Sequence, residues 1–263
     1  MTDSPICFVG GGNMGAAMIS GLIASSWSPA SITVVEVSPE RRIELQKMFP
    51  GIAVLAEIAA CASVVIAVKP PIAAATCASA SANGARRVLS ICAGISIAAL
   101  QQASGSATSI VRAMPNMPAL VGKGAAALAS SSGSSESDVS WAESILRAVG
   151  TVVRVDESQL DAVTAISGSG PAYVFMLAEC LIGEAMRQGL SSEVADLLVR
   201  QLLSGSAALL AASSQTPAEL RAQVTSPGGT TAAAIAAMEQ AGFREAIVAT
   251  VSAAVHRSRE MRS

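Results

Sequence analysis

Six residues near the start of the chain, Gly10-Gly11-Gly12-Asn13-Met14-Gly15, have the types and spacing to hold a phosphate. Glycines at 10, 12 and 15 fit G-x-G-x-x-G. In that pattern the first makes a tight turn, the second lets backbone approach a pyrophosphate, and the third lets a helix pack closely on a strand. The spacing alone is common. Here it follows the apolar run Pro5-Ile6-Cys7-Phe8-Val9, and Glu36 closes the next such run about 20 residues on, which is the context the fingerprint requires. A helix opening at the turn adds N–H donors and partial positive charge for the phosphates. The chemistry implied is the binding of a dinucleotide. Glu36 could accept a ribose 2′-OH, which favours NAD. Ser38, with Arg41 or Arg42 nearby, could hold a 2′-phosphate, which favours NADP. Ser38 also precedes Pro39 and suits a helix cap equally well, so both readings stand.

A second anion site is expected at Thr225-Ser226-Pro227-Gly228-Gly229-Thr230-Thr231. Ser226 is read as capping a helix that Pro227 opens, with two glycines in the first turn at a cost of about 1 kcal/mol each relative to Ala. Close approach of a carboxylate to bare N–H groups is a reason to tolerate them. A glycine-kinked helix start without a ligand is the alternative. Ser167-Gly168-Ser169-Gly170-Pro171 reads as another capped helix start, facing a cleft or allowing a tight helix crossing. Asn116, in Met114-Pro115-Asn116-Met117-Pro118, follows a predicted strand on the side of a sheet where ligands bind. It has the donors and acceptor to meet a nicotinamide carboxamide, or it is an ordinary Asn in a Pro-rich turn. Thr216-Pro217-Ala218-Glu219 is a capping box with a structural role.

General acids and bases are scarce. Tyr173, the only Tyr, has Leu177 four residues on rather than a Lys, and His256, the only His, lies beside Arg257. No metal site is expected. Hydride transfer to a ketone normally wants a positioned acid or base. An imine nitrogen already carries the proton, so the inventory points to C=N reduction, with a hydroxyl such as that of Thr231 positioning the ring nitrogen. A β-hydroxyacid dehydrogenase would need a Lys in the helix near residue 170, and 171–188 holds none. A dinucleotide sensor without turnover leaves 226–231 with no role.

The elements that must position these residues follow the same pattern of apolar runs. Short β-branched runs at 32–36, 64–68, 87–91, 110–114, 124–129 and 152–155 predict strands. Helices are predicted at 16–25, 39–49 and 141–149, with a Ser/Gly loop at 130–137. Continuous apolar strands separated by helices indicate a parallel sheet covered on both faces. After about residue 160 only helices are predicted, at 171–188, 193–212, 217–224 and 231–259. The first of these is apolar almost all round and should be buried on most faces. The fold class is therefore α/β, a Rossmann-type doubly wound sheet over 1–160 followed by an all-α substrate-binding and dimerisation domain over 161–263.

Composition narrows the functional classes. Of 263 residues, 51% are hydrophobic but only 3% aromatic and 14% charged, which excludes a disordered chain. A net charge of −2 gives no basic footprint for nucleic acid. The longest apolar run, 58–68, is short of the ~20 residues of a spanning helix. The segment Met1-Thr2-Asp3-Ser4-Pro5 has neither a basic region nor a long apolar one, so no signal peptide is expected. Five scattered cysteines without a Cys-x-x-Cys fit reduced thiols in a cytoplasmic protein.

Taken in order, these blocks resemble pyrroline-5-carboxylate reductases. The matching pieces are Phe8-Val9-Gly10-Gly11-Gly12-Asn13-Met14-Gly15, Ala67-Val68-Lys69-Pro70, Ser90-Ile91-Cys92-Ala93-Gly94, Arg112-Ala113-Met114-Pro115-Asn116-Met117-Pro118, Ser167-Gly168-Ser169-Gly170-Pro171-Ala172-Tyr173 and Ser226-Pro227-Gly228-Gly229-Thr230-Thr231. The resemblance implies reduction of 1-pyrroline-5-carboxylate to L-proline with NADP, NAD being possible. It implies a homodimer, with a decamer of five dimers as a larger form. It places Val9 to Met14, Ser38, Ala67 to Pro70 and Ile91 to Ala93 along the dinucleotide. Ser226, Gly229 and Thr230 would hold the substrate carboxylate, with Thr231 near the ring nitrogen. Two departures stand out: Glu36-Val37 replaces the Asn-Arg pair of many relatives, and Ala62 replaces an Asp before the strand ending in Val68.

Overall fold

The computed structural model describes residues 4–261; residues 1–3, part of the segment read for a signal peptide, lie outside the described residues. The chain forms two compact units. One runs through Ser169 and resumes at Ala254, and the other is Gly170–Ala253. The division expected at 160/161 falls within the first unit, because Asp161 is buried there and accepts a hydrogen bond from Ser258 Oγ at 2.9 Å.

The first unit is an eight-stranded sheet: β1 (Ile6–Val9), β2 (Ile32–Val35), β3 (Ala53–Leu55), β4 (Ser63–Ile66), β5 (Arg87–Ser90), β6 (Ser109–Met114), β7 (Gly124–Ser130) and β8 (Gly150–Arg154), in the spatial order 3-2-1-4-5-6-7-8. Alternation along the strands sorts their side chains to two faces. Ile6 and Phe8 of β1 join a core with Met18, Ile19 and Leu22 of α1 (Asn13–Ala24) and Ile145 of α5 (Glu136–Arg147). Cys7 and Val9 join the other core, with Cys77 of α3 (Ala73–Ala82) and Leu100 of α4 (Ile97–Ser104). Between α1 and α3, α2 (Pro39–Met48) seats Leu45 in the first core. Burial raises the thiols of Cys7, to about 12, and of Cys77 and Cys92, so these buried sulfurs stay protonated; all five cysteines are free.

Several sequence expectations are corrected. The sheet is not wholly parallel: β6 and β7 pair antiparallel, while β7 and β8 are parallel. β3, α3 and α4 were not expected; β3 is three residues long, and α3 is a run of Ala, Ser and Cys without amphipathic contrast. α5 begins five residues before Trp141, because Ser135 and Asp138 form a capping box inside what looks like a Ser/Gly loop. The expected helix start at 167–171 instead lies in the middle of a helical segment. α6 (Leu160–Val163) passes through a π turn (Thr164–Gly168) into α7 (Gly170–Arg187), and Ser169 N donates to Thr164 O at 2.7 Å.

The second unit contains α7, α8 (Ser192–Ala212), α9 (Pro217–Gln223), α10 (Thr230–Gln240) and most of α11 (Phe243–Glu260). One helix was expected over 231–259. Gly242, at φ +75°, breaks it, since an L side chain resists that conformation. α7 has no buried residue within the single chain, and Phe175, Met176 and Leu197 are exposed. Two helical stretches, Glu157–Arg187 and Ser192–Ala212, are long and apolar enough to cross a membrane by length and composition. The expected burial of α7 is therefore not supplied by its own chain.

Leu45 is fully buried and lies against Gly11. Leu45→Ala is expected to lower stability by about 2–5 kcal/mol, read as a shifted urea midpoint, because the cavity opens directly under the turn.

Candidate active site

The turn between β1 and α1 is pinned by backbone on both sides. Gly10 N donates to Val35 O at the end of β2, and Ala67 N, just past β4, donates to Val9 O, each at 2.8 Å. Gly10 has φ +106°, and a Cβ there would collide with the carbonyl of Ala67. A Cβ on Gly15 would collide with the carbonyl of Gly10, so the helix approaches the turn as closely as backbone allows. Gly12 differs: a Cβ there would meet nothing within 4 Å. It caps α1 without any side-chain hydrogen bond. The open space before bare helix N–H groups is where a pyrophosphate fits, so the residues present suit a dinucleotide.

These elements meet at the carboxyl ends of β1, β2 and β4, the switch point of the sheet. A cleft of about 900 Å³ opens there, lined by Val9, Gly10, Gly12, Glu36, Val68 and Lys69 among others. Asn13 is exposed in the first turn of α1, whereas Met14 packs against the core. Lys69 is exposed, and Pro70 starts a single 3-10 turn. Cys92 is drawn to the same edge, its Sγ donating to Val68 O at 3.2 Å, with Ala93 half-buried beside it. Sequence reasoning missed Glu57, Thr76 and Asn83, which also line the cleft. They carry no motif, and α3 had not been recognised.

Glu36 bridges two segments. Its Oε2 accepts from Gly11 N and its Oε1 from Ser38 N, both at 3.0 Å. Ser38 is the N-cap of α2, its Oγ accepting from Arg41 N at 3.2 Å and donating to Glu40 Oε2 at 2.8 Å. Arg41 Nε donates to Gly11 O at 2.8 Å, and Arg42 Nη1 donates to the carbonyls of Glu36 and Val37, both at 2.9 Å.

Asn116 is buried, and its amide is engaged with backbone. Its Nδ2 donates to Ser167 O at 3.0 Å and its Oδ1 accepts from Ala125 N at 2.9 Å. The π turn shifts the helical ladder, and Ser167 O takes a side-chain donor there.

The 226–231 segment is also built differently from its sequence reading. Ser226 does not cap the helix. Gly229 N donates to Ser226 O at 3.0 Å in a turn, Gly228 has φ +70°, and α10 begins at Thr230 with Gly229 as its N-cap. The glycines precede the helix, so they carry no helix-interior cost. No side chain caps α10, and a Cβ on Gly229 would press on Ser226 Oγ. His256 is exposed on α11 with Glu260 Oε1 at 3.1 Å, and among the described residues no cluster of His, Cys, Asp or Glu is suited to a metal ion.

A family model described as pyrroline-5-carboxylate reductase dimerisation matches residues 157–261, and one described as NADP oxidoreductase coenzyme F420-dependent matches residues 5–94. The chain is 39% identical to a pyrroline-5-carboxylate reductase of Mycobacterium tuberculosis, over 98% of this chain and 96% of that one. It is 40% identical to one of Synechocystis, over 96% of each. Among solved structures, a pyrroline-5-carboxylate reductase from Coxiella burnetii matches with a TM-score of 0.93 at 36% identity, covering 99% of both chains. Plasmodium falciparum pyrroline carboxylate reductase with NADP bound matches with a TM-score of 0.87 at 30% identity, covering 100% of both.

Two substitutions separate turn from clasp. Gly10→Ala is expected to abolish detectable NADPH binding in a fluorescence titration, since its Cβ and the Ala67 carbonyl cannot share the space. Asn116→Ala leaves two half-buried backbone groups without their side-chain partner and is expected to cost about 1 kcal/mol in chemical denaturation.

Proposed function

This chain belongs to the pyrroline-5-carboxylate reductase family, and from that membership we propose how its residues divide the work. The enzyme reduces the C=N bond of 1-pyrroline-5-carboxylate to give L-proline, the last step of proline biosynthesis, with NADP(H) as cofactor. When bound, the reduced nicotinamide supplies the hydride.

Residues 9–15, with Glu36, Ser38, 67–70, Cys92 and Ala93, line the dinucleotide's path. The open face of Gly12 and the bare start of α1 receive the pyrophosphate, and Lys69 adds a cation at the cleft wall. We assign Asn116 to the nicotinamide end; its bonds to Ser167 O and Ala125 N hold backbone in register.

The substrate carboxylate is assigned to the start of α10, held by Ser226, Gly229 and Thr230. The observation that carries this is a helix N-terminus with no side-chain cap, presented by a turn that glycine alone forms easily at φ +70°. Thr231, in the first turn of α10, then positions the ring nitrogen with its hydroxyl. The substrate carries its own proton as an iminium, so the chain needs no strong acid at that point. Fixed geometry supplies much of the rate, a source worth up to about 7–11 kcal/mol.

The enzyme is a dimer or larger oligomer of this chain. We assign its contact to the apolar faces of α7 and α8, which lie within the matched dimerisation region. Burial by a second copy also accounts for the two stretches whose hydropathy would suit a membrane. A decamer of five dimers and a cytoplasmic location complete the proposal, the latter supported by five unpaired thiols.

Proline formation from pyrroline-5-carboxylate with NADPH tests the assignment. Thr231→Ala is expected to lower kcat at least tenfold with an unchanged thermal midpoint; unaltered turnover overturns the role of Thr231. Light scattering of the purified enzyme is expected to show a dimer or a multiple of it, and a stable monomer overturns the α7–α8 contact.

A further inference from the structure

The loop from β5 to α4 carries Cys92 and Ala93, assigned above to the dinucleotide's path, and the last turn of α11 lies against it. We propose that this turn, residues 258–261, is a positioning element of the active centre. Held by the buried carboxylate of Asp161, it fixes the loop at Gly94 and so sets the wall that NADPH meets. This rests on the reductase reading above and deepens it.

The loop, residues 91–96, is tied at both ends. At the cleft, Ile91 N donates to Ile66 O at 3.0 Å and Cys92 Sγ donates to Val68 O at 3.2 Å. At the exit, Ser96 caps α4 and Ile97 N donates to Glu157 Oε1 at 2.7 Å. The same oxygen accepts from Nη1 of Arg112, buried on β6, at 2.8 Å. Between these ends Gly94 turns the chain at φ +77°, and a Cβ there would stand 2.8 Å from Met261 O. The apex of the loop therefore rests on the backbone of α11.

That backbone is itself anchored. From Ala254 on, α11 belongs to the first unit. Ser258 Oγ donates to Asp161 Oδ1 at 2.9 Å, and Arg259 Nε lies 3.9 Å from Oδ2. Met261 N donates to Arg257 O at 3.1 Å, which carries the helical ladder to the residue that faces Gly94. One short segment, 157–161, thus brackets the loop twice, at its exit through Glu157 and at its apex through Asp161 and Ser258.

The turn does not serve the hydrophobic cores. Among the described residues, neither core of the sheet includes one beyond Val163. What the turn supplies is a seat for the loop. Hydride transfer is sensitive to such seating, since a misplacement of about 1 Å, caused far from the chemistry, can cost roughly a hundredfold in rate.

The test uses the purified full-length enzyme. The dissociation constant of NADPH is measured by fluorescence titration, and kcat and both KM values by reduction of pyrroline-5-carboxylate, for wild type, Ser258→Ala and Ser258→Thr. Loss of the hydroxyl in Ser258→Ala is expected to raise the dissociation constant and KM of NADPH at least threefold. KM for pyrroline-5-carboxylate, assigned to α10, is expected to stay within twofold. Ser258→Thr keeps the hydroxyl and is expected to return NADPH binding to within twofold of wild type. Partial unfolding alone would lower the amount of active enzyme, and hence kcat, without moving either KM. A second measurement needs no variant. Coupling between sites is reciprocal, so NADPH is expected to slow hydrogen exchange in the wild type at 258–261 as well as at 91–97. Unchanged NADPH binding and KM in a folded Ser258→Ala variant overturn the proposal. So does NADPH that slows exchange at 91–97 and leaves 258–261 unmoved. Absence of pyrroline-5-carboxylate turnover in the wild type, while NADPH binding still follows Ser258, overturns the reductase reading and upholds the turn as the seat of the dinucleotide loop.

Discussion

The cofactor end of the molecule depends on one contact between backbones. The turn after β1 lies so near the carbonyl of Ala67 that a single methyl group at Gly10 has no room, and α1 lies equally near the turn at Gly15. Everything else at that edge follows from this approach. It brings the ends of β1, β2 and β4 together, and it leaves the start of α1 facing open space. It also places the carbonyl of Gly11 within reach of Arg41 and its N–H within reach of Glu36. Glycine is required at 10 and 15 by exclusion, whereas a Cβ at Gly12 would meet nothing within 4 Å, so the glycines of one motif are not equivalent.

How much of this was legible depended on the range of the interaction. The parallel core, the glycine turn and the acidic end of β2 could be read, because each is encoded within a few residues and fixed in relation to its neighbours. The direction of β7 could not, because Gly124 to Ser130 has the same small apolar character whichever way it pairs. The π turn was also hidden. Ser167-Gly168-Ser169-Gly170-Pro171 has the composition of a helix start, and only the close seat of Met114 against Gly168, with Asn116 on Ser167 O, carries the helix through it. Ser226 was misplaced for a related reason. A cap followed by Pro is a sound local signal, but the left-handed Gly228 turns the chain once more before the helix begins.

The scarcity of aromatic and charged residues acquires a structural meaning in the second unit. Its helices carry Leu, Val, Met and Ala on surfaces that a soluble single chain would make polar, and most of those side chains are exposed in one copy. Apolar area of that kind is a statement about a missing neighbour. The family match over 157–261, to a model described as pyrroline-5-carboxylate reductase dimerisation, covers these helices. Sequence alone suggested burial of α7 in a helical unit that doubles as a subunit interface, since its faces are apolar almost all round.

The hydrogen bond from Ser258 to Asp161 spans 97 residues of chain, and both partners belong to the first unit. During synthesis the eight strands and their covering helices leave the ribosome well before residue 258 exists. The buried carboxylate of Asp161 must therefore wait for the last helix before it receives that hydroxyl. The late arrival of α11 also brings Met261 against Gly94, at the loop following β5. The nucleotide-binding half is thus completed only once residues 254–261 have been made, and a chain interrupted before them lacks those contacts.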